Sequence, residues 1–109
     1  MKNAELLSKM TLEEKVSLLS GKDFWHLRGN ERLGLPELMI TDGPHGLRKA
    51  NPDGKFKIEN STPATCFPPA VTSACSWDPE LLYEMGVAIG EECLQEKVSV
   101  ILGPGVNMK

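Results

Sequence analysis

Thr41-Asp42-Gly43-Pro44-His45-Gly46-Leu47-Arg48 follows directly on the apolar run Leu38-Met39-Ile40, so a buried strand is expected to break into a loop at Asp42. In α/β enzymes, loops at strand ends carry the chemistry. Two glycines and a proline sharpen this loop, and an acid and a guanidinium, both suited to gripping hydroxyl groups, flank it. The octapeptide reads as half of a polar binding site.

Upstream, Thr11 followed by Glu14 at the capping-box spacing, with Leu12, Val16 and Leu19 on one helical face, predicts a helix over 11–20. Gly21 is expected as its C′ residue, and a short helical turn is expected over 4–8. Gly34-Leu35-Pro36 breaks the pattern, and residues 37–41 read as the first strand.

Downstream, residues 43–69 lack helical periodicity. Asn51-Pro52-Asp53-Gly54 is a tight-turn signal, and Phe56 and Ile58 alternate behind it as in a small exposed hairpin. So long a loop is expected to be functional, here as a wall beside the site. Ala70-Val71-Thr72-Ser73-Ala74 reads as a second strand, antiparallel to the first because no crossover helix separates them. Asp78 as N-cap, Pro79 at N1 and the apolar face Leu82, Met85, Ile89 and Cys93 predict a helix over 79–96. Gly86 and Gly90 on that helix are expected to allow close packing against the sheet. Val98-Ser99-Val100-Ile101-Leu102 has the composition of a buried parallel strand, ended by Gly103-Pro104-Gly105.

Composition sets bounds. The 109 residues include 12 basic and 15 acidic side chains, a net charge of −3, with no basic cluster to attract nucleic acid or an anionic membrane. A neutral small molecule fits this balance better. No apolar h-region follows Met1-Lys2-Asn3-Ala4-Glu5, and no apolar run approaches the ~18 residues of a spanning helix, so a cytoplasmic location is expected. Cys66, Cys75 and Cys93 form neither a CxxC pair nor a zinc spacing with His26 or His45, and read as buried, reduced thiols. Gly103-Pro104-Gly105 is too short for a dinucleotide fingerprint.

Further stretches stand in one order along the chain: Met10-Thr11-Leu12-Glu13-Glu14-Lys15-Val16, Gly21-Lys22-Asp23-Phe24-Trp25, Phe67-Pro68-Pro69, Ser76-Trp77-Asp78 and Leu102-Gly103-Pro104-Gly105-Val106-Asn107. With the octapeptide, they make the chain resemble the amino-terminal part of a glycoside hydrolase of family 3, the β-glucosidase type. The resemblance implies an α/β fold in which residues 1–109 form the first part of a (β/α)8 TIM-like barrel. The barrel is expected to be incomplete here, since the fold needs roughly 250 residues. The implied activity is hydrolysis of terminal non-reducing β-D-glucosyl residues by a retaining mechanism, which uses two carboxyl groups about 5 Å apart. In the family the nucleophilic Asp and the acid/base Glu lie farther along, so the resemblance assigns no catalytic residue here. It does assign sugar binding, with Asp42 accepting from hydroxyls of the non-reducing-end sugar and Arg48 holding the same pocket.

Read without the family, Asp42 can instead close an Asx turn, and Arg48 can cap or pair with a helix. Glu13, Glu14, Glu80, Glu84, Glu91 and Glu92 are expected on solvated helix faces. Phe24, Trp25 and Trp77 are expected as core anchors rather than sugar-stacking rings, and His45 is expected to pack beside the loop. No metal and no cofactor are expected. The expected partners are a β-glucoside or related small saccharide and the missing remainder of the enzyme. The alternative is a non-catalytic truncated product, or a complementing half that pairs with a separately encoded remainder.

Overall fold

Residues 3–51 and 60–106 are described by the structure, a computed structural model. The chain divides into two units, Met1–Ile40 and Thr41–Lys109.

In the first unit, α1 (Ala4–Lys9) precedes α2 (Leu12–Ser17). The capping box forms as the sequence predicts: Thr11 Oγ1 accepts from the Glu14 amide at 3.2 Å, and Glu14 Oε2 accepts from the Thr11 amide at 2.8 Å. The helix ends sooner than 11–20, because from Leu18 the chain tightens into i→i+3 turns through Leu19 and Ser20. Gly21 is therefore not the C′ residue. It bridges Leu27 in antiparallel fashion, beside β1 (His26–Leu27). This short strand pairs antiparallel with β2 (Leu38–Asp42), His26 opposite Met39 and Leu27 opposite Leu38. Between them, Asn30 caps a 3₁₀ turn over Glu31–Leu33, which Gly34 closes at φ 66°.

Thr41 and Asp42, the last residues of β2, open the second unit. The strand expected over 70–74 is a helix, α3 (Ala70–Ala74). Pro69 stands at its N-cap with an extended ψ of 161°, and the amides of Thr72 and Ser73 turn back onto the Pro69 carbonyl. Small residues at both ends fit that turn, and two β-branched residues in five are too few to hold an extended segment without a partner. The hairpin expected around residues 51–58 lies, apart from Asn51, outside the described residues. Its flanks run antiparallel, the Asn51 amide donating to the Asn60 carbonyl at 3.0 Å and the Thr62 amide to the Lys49 carbonyl at 2.8 Å.

Helix α4 (Pro79–Gln95) matches its sequence signals closely. Asp78 Oδ1 accepts from the amides of Glu80 and Leu81 at 3.0 and 3.2 Å. The helix closes in a Schellman motif: the Val98 amide reaches the Cys93 carbonyl at 2.8 Å and the Lys97 amide reaches the Leu94 carbonyl at 3.2 Å. Lys97 takes the left-handed C′ position at φ 58°, and buried Cys93 and Val98 supply the accompanying apolar contact. The chain then enters β3 (Val100–Leu102), the neighbour of β2 in the sheet. Beyond the strands, the Gly105 amide donates to the Pro44 carbonyl at 2.8 Å. The segments leaving β2 and β3 thus meet, so the two strands point the same way.

Much of the apolar surface expected to be buried is open. In the second unit Leu47, Cys93 and Val98 are buried and Met85 and Ile89 half-buried, whereas Leu82, Val100 and Leu102 are exposed. The expectation of a buried strand over 98–102 holds only at Val98 and, in part, at Ile101. A Cβ added at Gly86 or Gly90 would meet nothing within 4 Å, so these glycines permit no close contact among the described residues. Trp77 is 92% exposed and Phe24 74%, so neither is a core anchor here. Cys66 and Cys75 are exposed as well, and of the three thiols only Cys93 is buried. Among the described residues no helix is long and apolar enough to cross a membrane.

Candidate functional site

Asp42 and Arg48, the two residues assigned from the sequence, form an isolated antiparallel bridge. The Arg48 amide donates to the Asp42 carbonyl at 3.0 Å, and Thr41 Oγ1 donates to the Arg48 carbonyl at 2.6 Å. Thr41 is fully buried, so its hydroxyl fastens the returning chain to the end of β2 out of water's reach. Residues directly opposite in an antiparallel pair project to one face, with Cβ atoms about 4.5–5.5 Å apart. The bridge therefore starts the Asp42 and Arg48 side chains from one face of the loop.

Both side chains are half-buried. Among the described residues they make no ion pair with each other or with any other group. The Asx turn open to Asp42 is not made, and Arg48 neither caps nor pairs with a helix. An acceptor pair and a planar fork of donors remain directed to one face, an arrangement suited to vicinal hydroxyls.

Two glycines shape the loop between them. Gly46 lies at φ 138°, and a Cβ there would stand 2.4 Å from the Thr65 carbonyl oxygen. Gly43 approaches Ile101 and Gly103 so closely that a Cβ on it would fall 2.2 Å from Ile101 Cδ1. Only glycine fits either place. Leu47, buried beneath the loop, anchors it.

Other contacts hold the loop from behind, and sequence reading missed them. The Phe67 amide donates to the His45 carbonyl at 3.0 Å. Glu92 of α4 accepts from both the amide and the hydroxyl of Thr65 through Oε1. Lys49 Nζ donates to the carbonyl of Glu96 at 2.7 Å and to its Oε2 at 2.8 Å. Of the carboxylates expected on solvated helix faces, Glu92 and Glu14 also hold partners, Glu14 the Arg32 guanidinium. The i,i+4 spacing of Glu92 and Glu96 is the one signal the sequence offered.

His45 is exposed and carries its role in its backbone. It borders an apolar cleft of about 490 Å³ between α3, α4 and β3, lined by Met85, Ile89, Ile101 and Val106 among others. Neither Asp42 nor Arg48 lines it. A sugar needs convergent polar groups, so this cleft is an uncovered core face rather than a saccharide pocket. Among the described residues no group of His, Cys, Asp and Glu could hold a metal ion.

No protein-family model matches the chain. Individual relatives do. Over 106 residues, 96% of the chain, it is 58% identical to thermostable beta-glucosidase B of Acetivibrio thermocellus, and over 102 residues it is 61% identical to an exo-alpha-(1->6)-L-arabinopyranosidase of Bifidobacterium longum. The crystal structure of a Bifidobacterium adolescentis GH3 beta-glucosidase superposes on 94% of the chain with a TM-score of 0.80 at 58% identity. The chain belongs to glycoside hydrolase family 3. It spans 14% of the length of each of these relatives. The crystal structure of a beta-glucosidase of Kluyveromyces marxianus in complex with glucose matches 95% of the chain with a TM-score of 0.84 and 40% identity, the chain covering 12% of it.

Proposed function

We propose that these 109 residues supply part of the sugar-binding subsite of a β-glucosidase-type glycoside hydrolase. In this reading they are the opening part of a (β/α)8 barrel whose catalytic carboxylates lie outside them. The Asp42–Arg48 bridge carries the proposal, because it sets an unpartnered carboxylate and guanidinium on one face at the end of β2. The barrel reading is supported by the unit β2, α4, β3, in which both strands point the same way and the loops after them touch. It is supported also by the open apolar faces of α4 and β3, which a continuing barrel would cover.

In the proposed mechanism, Asp42 accepts hydrogen bonds from two adjacent hydroxyls of the non-reducing-end glycosyl residue, and Arg48 donates to the same sugar. Two carboxyl groups elsewhere in the barrel perform the retaining displacement, one as nucleophile and one as acid/base. The residues described here thus bind and orient the sugar, and supply no proton and no nucleophile.

The test replaces the matching 106-residue segment of the Acetivibrio thermocellus beta-glucosidase B with this chain. The chimaera is expected to hydrolyse an aryl β-glucoside, and the isolated chain is not. Turnover by the isolated chain, free of host glucosidases, would overturn the division of roles. The open apolar faces also favour a second reading, a complementing half. Recovery of activity on co-expressing the chain with the remainder of that relative as a separate polypeptide distinguishes it.

A further inference from the structure

The end of α4 bonds to Thr65, which lies against the Asp42–Arg48 loop, and to Lys49, the residue that follows it. On one side, Glu92 Oε1 accepts from the Thr65 amide at 3.1 Å and from the Thr65 hydroxyl. The Thr65 carbonyl lies against Gly46, and the Phe67 amide is bonded to His45 at 3.0 Å, so segment 65–67 is laid along the octapeptide. On the other side Lys49, adjacent to Arg48, is bound to Glu96, one turn beyond Glu92. Lys49 is 20% exposed in its side chain, so this bond is partly shielded from water.

Segment 61–67 belongs to no helix or strand. Its position rests on few bonds, and the Thr65–Glu92 pair ties it to the longest regular element of the second unit. Hydrogen bonds to an ionised acceptor are the stronger kind. Without this one, segment 65–67 keeps the Phe67–His45 bond but loses its tie to α4, so the wall behind Gly46, in the turn between Asp42 and Arg48, is held less firmly. A displacement of about 1 Å in a binding group costs on the order of 10²-fold in rate.

We infer that Glu92, acting through Thr65, is a positioning residue for the Asp42–Arg48 pair. The inference rests on the reading that this pair binds sugar, and its test separates the two. In the chimaera described above, Glu92→Ala lowers kcat/KM for an aryl β-glucoside about tenfold and weakens inhibition by glucose. Glu92→Gln, which keeps the acceptor oxygen, recovers to within about threefold of the parent. Thr65→Val loses about fivefold, Thr65→Ser restores it, and Glu92→Ala with Thr65→Val is no worse than Glu92→Ala alone, as expected of one shared interaction. Thermal melting accompanies each variant, because a merely structural role lowers Tm while leaving kcat/KM of the folded enzyme at the parent value.

If Glu92→Ala fails to fold, the Thr65 variants decide. Parent-level kcat/KM in Thr65→Val and in any soluble Glu92→Ala, beside a large loss in Asp42→Ala, would overturn the inference and leave the sugar-binding reading standing. Parent-level activity in Asp42→Ala would overturn both.

Discussion

Asp42 and Arg48 face each other across a single backbone hydrogen bond of 3.0 Å, and the five residues that separate them close into a loop whose turn is made by Pro44, His45 and Gly46. A carboxylate and a guanidinium so placed would ordinarily pair with one another. Among the described residues they do not.

If both are held for sugar hydroxyls, Asp42→Ala in the active chimaera removes two charge-assisted bonds of roughly 1.5–3 kcal/mol each. At tenfold per 1.4 kcal/mol, kcat/KM is expected to fall by about 10²–10⁴, with Arg48→Ala acting more weakly in the same direction. Azide should not rescue Asp42→Ala, because Asp42 does not attack the anomeric carbon. A glycosyl azide of inverted configuration would identify Asp42 as the nucleophile.

Gly46→Ala is expected to be more damaging than Gly34→Ala. Both glycines have positive φ, but a Cβ at Gly34 meets nothing within 4 Å, whereas one at Gly46 meets the Thr65 carbonyl oxygen at 2.4 Å. Gly34→Ala carries the left-handed cost alone, about 1–2 kcal/mol. Gly46→Ala adds a backbone collision that must push segment 65–67 away. Urea unfolding of the two variants checks the order, and equal midpoints would contradict it.

Lys97→Gly should stabilise the chain. Lys97 occupies the left-handed C′ position of the Schellman motif at φ 58°, where glycine has no Cβ penalty. Part of the gain is offset by the greater freedom of glycine in the unfolded chain, leaving about 0.5–1 kcal/mol. A rise in the urea midpoint at unchanged slope is the expected result.

The Glu14 carboxyl is held at about 2, below its ordinary 4.5, first by the Arg32 guanidinium and then by the Thr11 amide and Asn30. A depressed carboxyl contributes stability that is fully present above its unfolded value and is lost as pH falls through the folded one. The stability difference between the parent chain and Glu14→Gln should therefore be largest at neutral pH and shrink between about pH 4.5 and 2. Melting curves across that window test this. Parallel pH profiles would show that the Arg32 contact does not persist in solution.

Short-range signals carried the parts of the fold that local chemistry controls. The Thr11–Glu14 box, the Asp78-Pro79 start of α4 and the apolar run into Asp42 each specify a backbone conformation within a few residues, and each appears where the sequence predicts it. The same locality explains the pairing of Asp42 with Arg48: a Gly-Pro-rich stretch turns the chain back on itself within a few residues. Segment 70–74 departs from its expected strand for the opposite reason. A strand there needs a partner, and among the described residues none pairs with it.

Tertiary structure alone decided what supports the site. Thr65 meets Glu92 across 27 positions and Lys49 meets Glu96 across 47, separations at which no periodicity links the partners. It also decided which apolar residues are covered. Leu82, Val100 and Leu102 carry the pattern of core residues, yet burial requires a facing element, and among the described residues their exposure shows that none closes over them. Sequence thus determined the starts of α2 and α4, the strand that delivers Asp42 and the turn that returns Arg48, because those depend on neighbours along the chain. The long-range bonds and the uncovered faces depend on neighbours in space.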